Sequence, residues 1–400
     1  MTNWSEIQKG LRVRTKIING TILTPEQVLP GHELLIENKT VQSIGRTNEL
    51  PSNSSERVLD AKGMWVIPGF VDIHVHGADG HDTMDATPEA LQGMARFFAR
   101  HGVTSFLPTT VTQSSESILN ALRSIGEHSA SPSGAQVMGA HLEGPYLNME
   151  HKGAQPPEHI RPPDPNEYRR WFDSRDVRLI TLAPEIDGAL ELIAQGVALG
   201  IEFALGHTGS SYEQVLAAAN HGVRQATHTF NGMAGLHHRR PGTAGAVLSD
   251  DRIYAQVIAD GIHLHPATVK ILVRSKSIKK TILITDAIRA TGLEDGAYEL
   301  GGHMINVIGG IARTESGSLA GSTLTMDQAL RNIMNFTGLS LHEALPMATI
   351  VPAEAMGWTG KKGVLAPGAD ADVVLLDDHQ RVQMTMVQGQ IVYKNESQLA

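Results

Sequence analysis

The chain has 400 residues, of which 41% are hydrophobic and 19% charged, a balance ordinary for a soluble globular protein with a large core and unlike that of a disordered chain. A net charge of −9 excludes wholesale nucleic-acid binding, because a phosphate backbone calls for a broad basic surface. With no cysteine there is no disulfide framework and no thiolate ligand or nucleophile, so any metal must be held by histidine and carboxylate.

The N-terminal stretch MTNWSEIQKGLRVRTK has no apolar run of signal-peptide length, and no run of about 18 apolar residues occurs anywhere. No membrane partner is expected, and the cytoplasm is the expected location. At about 150 residues per domain the length predicts two or three compact units, or one barrel that takes up most of the chain.

In chain order, residues 1–65 read as short strands (KIINGTIL, HELLIENKTVQSIG, RVLDAKGMWVIPGF) punctuated by Gly, Asn and Pro. Residues 363–400 look the same, with GVLAPGADADVVLLDD and QMTMVQGQIVYKN. We therefore pair the two ends into one small β-sandwich domain. Between them, residues 66–362 alternate short apolar runs with helical stretches such as TPEALQGMARFFARHG and SYEQVLAAANHG, the pattern of βα units around a parallel sheet. Runs near 66–73, 103–107, 136–141, 178–182, 201–206, 223–227, 253–258 and 281–285 predict an α/β fold, a (β/α)8 TIM-like barrel. The segment YELGGHMINVIGGIARTESGSLAG, after the eighth run, reads as a β-hairpin insertion near the mouth.

Catalytic groups of such a barrel come from the C-terminal ends of its strands. Metal-type side chains stand there: His74 and His76 after the first run, Glu143 after the third, His207 after the fifth, His228 after the sixth, His263 shortly after the seventh and Asp286 after the eighth. In PGFVDIHVHG the two histidines are two apart, so they leave one face of a strand and converge on one cation; a lone His-x-His is otherwise a common loop feature. In HLEGPYLN, Gly144 and Pro145 turn the chain and leave Glu143 at the mouth. Each of Glu143, His207 and His228 alone reads equally as a solvated loop residue. Together they form a three-ligand set that leaves a coordination position open. Asp286 has two readings, a helix N-cap before Ala-Ile-Arg or a general base and acid beside a water activated by the metal. The run His237, His238, Arg239 and Arg240 is one candidate cluster for an anionic small substrate.

Across nearly its whole length the chain resembles the N-acetylglucosamine-6-phosphate deacetylase family of the amidohydrolase superfamily. The resemblance rests on PGFVDIHVHG, HLEGPYLN followed by KGA, LGHT, THTFNGM, HHRRPG, ADGIHLHP, TDA, LAGS and GVLAPGADADVVLLD. It implies a barrel with a β domain built from both termini, and a metal on Glu143, His207 and His228. It further implies Asp286 as catalytic acid and base and His263 as a catalytic group holding the substrate near the scissile amide. Substrate contacts are implied for Ala154, Gln155, Asn231, Gly232 and the turn Leu319, Ala320, Gly321. Arg239 would reach the sugar 6-phosphate from the neighbouring subunit of a homodimer. The expected reaction is hydrolysis of the acetamide of N-acetylglucosamine 6-phosphate; N-acetylgalactosamine 6-phosphate or another N-acyl substrate is the alternative, and a barrel that has lost its chemistry is a more distant one.

Three positions depart from the commonest family pattern: Gly232 where alanine is usual, Gln155 where some members have histidine, and Arg240 where an acidic residue often stands. The intact His74–His76 pair predicts a second metal ion with Glu143 bridging. Such ligands suit zinc first, with iron or manganese as alternatives.

Overall fold

The computed structural model describes residues 13–51, 56–128 and 133–396. Among these, eight strands run parallel in one ladder: Phe70–Val75, Val103–Thr110, Ala140–Glu143, Val177–Leu182, Glu202–Leu205, Gln225–Ala226, Tyr254–Val257 and Thr281–Leu283. The ladder closes where Val75 forms a parallel bridge with Ala287, just past the eighth strand. There the His76 amide donates to the Ala287 carbonyl at 2.7 Å, and the Asp286 amide to the His74 carbonyl at 3.0 Å. A helix follows every strand, from Pro88–Arg100 to Met326–Thr337.

The first helix shows why these segments coil. The Thr87 hydroxyl caps it by accepting the Ala90 amide at 3.2 Å, and proline occupies its first turn, where no donor is lost. Leu91, Met94, Ala95 and Phe98 then recur at helical spacing and are buried in the barrel cluster. No described helix is long and apolar enough to cross a membrane.

The structure differs from the predicted runs in three places. The run near 66–73 is two strands: Trp65–Pro68 pairs antiparallel with Val373–Leu376 in the terminal sheet, and Phe70–Val75 opens the barrel. Gly69 stands between them, where any Cβ would lie 2.1 Å from the Thr104 hydroxyl oxygen. The third run is interrupted after Gln136–Val137 by a left-handed Gly139 (φ +120°) and resumes at Ala140. The expected hairpin after the eighth strand is a three-stranded antiparallel sheet, Gly296–Leu300, His303–Ile308 and Ile311–Thr314.

The two ends of the chain meet in a second, mostly antiparallel sheet. Its described strands run in the order Gln390–Lys394, Val382–Val387, Val373–Leu376, Trp65–Pro68, Arg14–Leu23, Val28–Glu37 and Thr40–Arg46, with Arg57–Asp60 beside Arg14–Leu23. Ile17, Leu34 and Ile36 from one end share an apolar cluster with Val373, Leu375 and Met384 from the other, separate from the barrel core. Residues 1–12 and 397–400, the outer ends of the expected terminal domain, lie outside the described residues.

Candidate active site

Strand periodicity builds the floor of the site. On the first strand His74 leaves the same face as Asp72, with His76 next in the series just past the strand end; on the third, Glu143 leaves the same face as His141. His207, His228 and Asp286 stand just beyond their strands with left-handed backbones, φ +48°, +30° and +53°. That conformation costs a non-glycine residue of order 1–3 kcal/mol. Main-chain bonds hold it: the carbonyls of His207, His228 and Asp286 accept from Asn148 at 2.9 Å, Asn231 at 2.9 Å and Ser322 at 2.8 Å.

These turns bring six side chains together at the barrel mouth, all of them buried. Glu143 Oε1 lies 3.2 Å from His207 Nε2 and 3.1 Å from His228 Nε2, and the two ring nitrogens are 3.2 Å apart. His74 Nε2 and His76 Nε2 are also 3.2 Å apart and lie 3.4 and 3.3 Å from Asp286 Oδ1. Glu143 joins the two groups, with Oε2 at 3.3 Å from His76 Nε2.

The donor set fits a divalent cation. His207, His228 and His76 each turn Nδ1 to a main-chain carbonyl, of His151 (2.9 Å), Asn231 (3.2 Å) and Thr109 (3.2 Å). A ring that donates from Nδ1 keeps a lone pair on Nε2, the form in which imidazole binds metal. Two groups have ligand atoms mutually within 4.8 Å, Glu143–His207–His228 and His74–His76–Asp286.

The electrostatics agree. Burial alone would raise Glu143, yet His74 and His207 beside it hold its carboxyl well below the usual carboxylate range. Asp286 is likewise opposed by burial, but His74 and His76 bring it down to about 2, so it is ionised. Burial lowers His76, and its bonds to Asp286 and Glu143 outweigh that and push it up to about 10. Without a metal, His76 holds a proton where a cation fits.

A cavity of about 320 Å³ opens above this cluster. Of the residues expected at the substrate, Ala154, Gln155, Asn231, Gly232, His263, Leu319 and Gly321 line it, together with His76, Glu143, His207, His228 and Asp286. Ala320 does not: it is fully buried in an apolar cluster with Val111 and Ile288. Arg239 is exposed and lies outside the cavity of its own chain. Gln155 has its polar end committed, donating to Glu143 Oε2 at 2.5 Å and accepting the Thr112 amide at 2.8 Å. It therefore steadies the glutamate while its side chain walls the cavity.

Several residues here escaped the reading of the sequence. Asp260 Oδ2 lies 2.6 Å from His263 Nδ1, and its other oxygen accepts the Ile262 and His263 amides, each at 2.8 Å. His141 sits beneath Glu143, with Nε2 2.7 Å from Thr181 Oγ1, and its ring packs edge-on to His74 with centroids 4.7 Å apart. Its place two residues before Glu143 was a readable signal, since that period puts both on the inner face.

A histidine–carboxylate cluster at the mouth of a (β/α)8 barrel, with an ionised aspartate beside it, defines a metal-dependent hydrolase. The Amidohydrolase family model matches residues 65–392, and the chain belongs to that family. It is 40% identical over 373 residues to N-acetylgalactosamine-6-phosphate deacetylase of Escherichia coli O157:H7, spanning 92% of this chain and 97% of that protein. It is 39% identical over 360 residues to N-acetylglucosamine-6-phosphate deacetylase of Vibrio furnissii, spanning 88% and 90%. Among solved structures, a mutant N-acetyl-D-glucosamine-6-phosphate deacetylase from Mycobacterium smegmatis, in complex with N-acetyl-D-glucosamine-6-phosphate, superposes with a TM-score of 0.88 at 35% identity, covering 96% of this chain and 100% of that one.

Proposed function

We propose that the chain hydrolyses the acetamide of N-acetyl-D-glucosamine 6-phosphate to D-glucosamine 6-phosphate and acetate. The observation that carries this reading is the ionised Asp286 facing the same cavity as the Glu143–His207–His228 group. A divalent metal on that group would polarise the acyl carbonyl and lower the pKa of a water from about 15.7 to about 7.

The protein's own groups do the rest. Asp286 accepts the proton of the attacking water and returns it to the departing amine nitrogen. His263, oriented by Asp260, hydrogen-bonds the acyl group and helps stabilise the oxyanion. Asn231, Gly232, Ala154 and the Leu319–Gly321 turn shape the sugar site, and Leu319 and Gly321 face it directly.

Histidine and carboxylate ligands favour zinc, with iron or manganese as alternatives, and the His74–His76 pair favours a second ion bridged by Glu143. In our reading the enzyme is a cytoplasmic homodimer. Arg239, exposed on a loop outside its own cavity with the exposed Leu236 nearby, binds the 6-phosphate in the partner's site.

The relative from Escherichia coli O157:H7 favours the galactosamine epimer as a second reading. Relatives from Vibrio furnissii, Bacillus subtilis and mammals carry the glucosamine name, and we hold to glucosamine. Acetate release by purified, metal-loaded protein tests it. Release from N-acetylglucosamine 6-phosphate, and not from the unphosphorylated sugar, is expected; faster turnover of the galactosamine epimer would move the assignment, and no release from either would end it.

A further inference from the structure

The third, fifth and sixth barrel strands lead to Glu143, His207 and His228, whereas the fourth, between the third and the fifth, supplies no ligand. Just past its end stands Glu185, half-buried, with four donors closing on its two oxygens. Asn148 Nδ2 at 2.8 Å and the Gly209 amide at 2.7 Å donate to Oε1; the hydroxyls of Thr208 at 2.5 Å and Ser210 at 2.7 Å donate to Oε2. Three of these donors directly follow His207. The fourth belongs to Asn148, whose amide also holds the His207 carbonyl at 2.9 Å.

All four partners are neutral, so the carboxylate is satisfied by hydrogen bonds rather than by a counter-charge. What they share is a position around the strained backbone of His207, φ +48°. Asn148 ends the loop that leaves Glu143, and His151, three residues on, accepts from the His207 ring at 2.9 Å. One side chain thus ties together the loops that carry two different ligands.

We propose that Glu185 is a positioning residue for the metal, locking the loops after the third and fifth strands in the register at which Glu143 and His207 meet one cation. It sets how tightly the ion is held and leaves the chemical step alone. The inference rests on the reading that Glu143, His207 and His228 bind a divalent metal. Groups that orient ligands in this way typically change metal affinity by about 10- to 100-fold when removed.

The test is zinc affinity, measured by competition with a chromophoric chelator, on wild type, Glu185→Gln and Glu185→Ala. Glu185→Gln keeps the shape but faces one pair of donors with an NH2 group. Asp372→Asn is the control: it breaks a buried pair with Lys362 Nζ at 2.8 Å, near the terminal sheet and away from the ligand loops. Both Glu185 variants should bind zinc about 10- to 100-fold more weakly. The metal concentration for half-maximal activity should rise by the same factor, with kcat at saturating metal and KM unchanged. Asp372→Asn should lower the melting temperature and leave zinc affinity alone. Zinc affinity in the Glu185 variants equal to wild type, or reduced no more than in Asp372→Asn, overturns the proposal. Wild type that binds no zinc overturns the metal reading itself, and this proposal with it.

Discussion

The two histidine–carboxylate groups at the barrel mouth share a residue composition but not a support. Around Glu143, both histidines are anchored through Nδ1, and the carboxylate is braced by Gln155 at 2.5 Å. Around Asp286, His76 is anchored on the Thr109 carbonyl, but His74 Nδ1 is buried with no hydrogen-bond partner among the described residues. Among the described residues, the basic side chains within 4 Å of the Asp286 carboxylate are His74 and His76, at 3.4 and 3.3 Å. A ligand set that must stay in place benefits from rigid outer contacts, whereas a group that carries a proton must be able to exchange partners. The difference in support therefore matches the proposed division of labour, in which Glu143, His207 and His228 hold a metal and Asp286 moves a proton.

That division can be broken at its shared member first. Glu143→Ala should abolish metal binding in both groups and bring activity to background, because this carboxylate contacts His207, His228 and His76 together. Metal analysis beside an acetate-release assay checks it, and a variant that retains one ion would show that the groups are independent.

Separating the groups has the next largest effect. His228→Ala should lose the ion that supports turnover, and His76→Ala should lose only the second ion and keep measurable activity. The opposite ranking would mean that the first-strand histidines hold the essential metal.

A smaller effect is expected from pH. His76, pushed up to about 10, carries a proton in the metal-free protein at neutral pH, and an incoming cation must displace it. Affinity should therefore weaken as pH falls, and loading at about pH 7 should release protons. In the other group burial lowers His228 while Glu143 raises His207, opposite shifts that partly offset, so binding there should depend less on pH. Equal pH dependence of both sites in a calorimetric titration would contradict the contrast.

The smallest change is at Gly232, left-handed at φ +57°, where an added Cβ would lie 3.0 Å from His207 Nδ1 and 3.2 Å from the His151 carbonyl. Gly232→Ala should cost about 1 kcal/mol of stability and loosen metal binding only slightly. A melting curve and a zinc titration on the same sample check this.

Much of this site could be read in the sequence because barrel geometry puts function at strand ends, and there His74, Glu143, His207, His228 and Asp286 each break an apolar run beside a turn signal. The eight strands were legible for the same reason. What escaped needed the third dimension. Gly69 stands where one apolar run passes from one sheet to another, and only the approach of Thr104 shows why glycine is needed there. Gln155 reads as a wall of the sugar site, and its bond to Glu143 spans a turn that no periodicity predicts. Glu185 escaped because its four donors come from two loops that meet only once the barrel has closed.

The central claim, that the Glu143 group holds the metal while Asp286 moves the proton, is tested most directly by Asp286→Asn, with metal content and turnover measured on one sample. The account predicts full occupancy of the Glu143–His207–His228 site with kcat lower by about 10²- to 10⁴-fold. Near-normal turnover, or loss of that ion together with the activity, would contradict it.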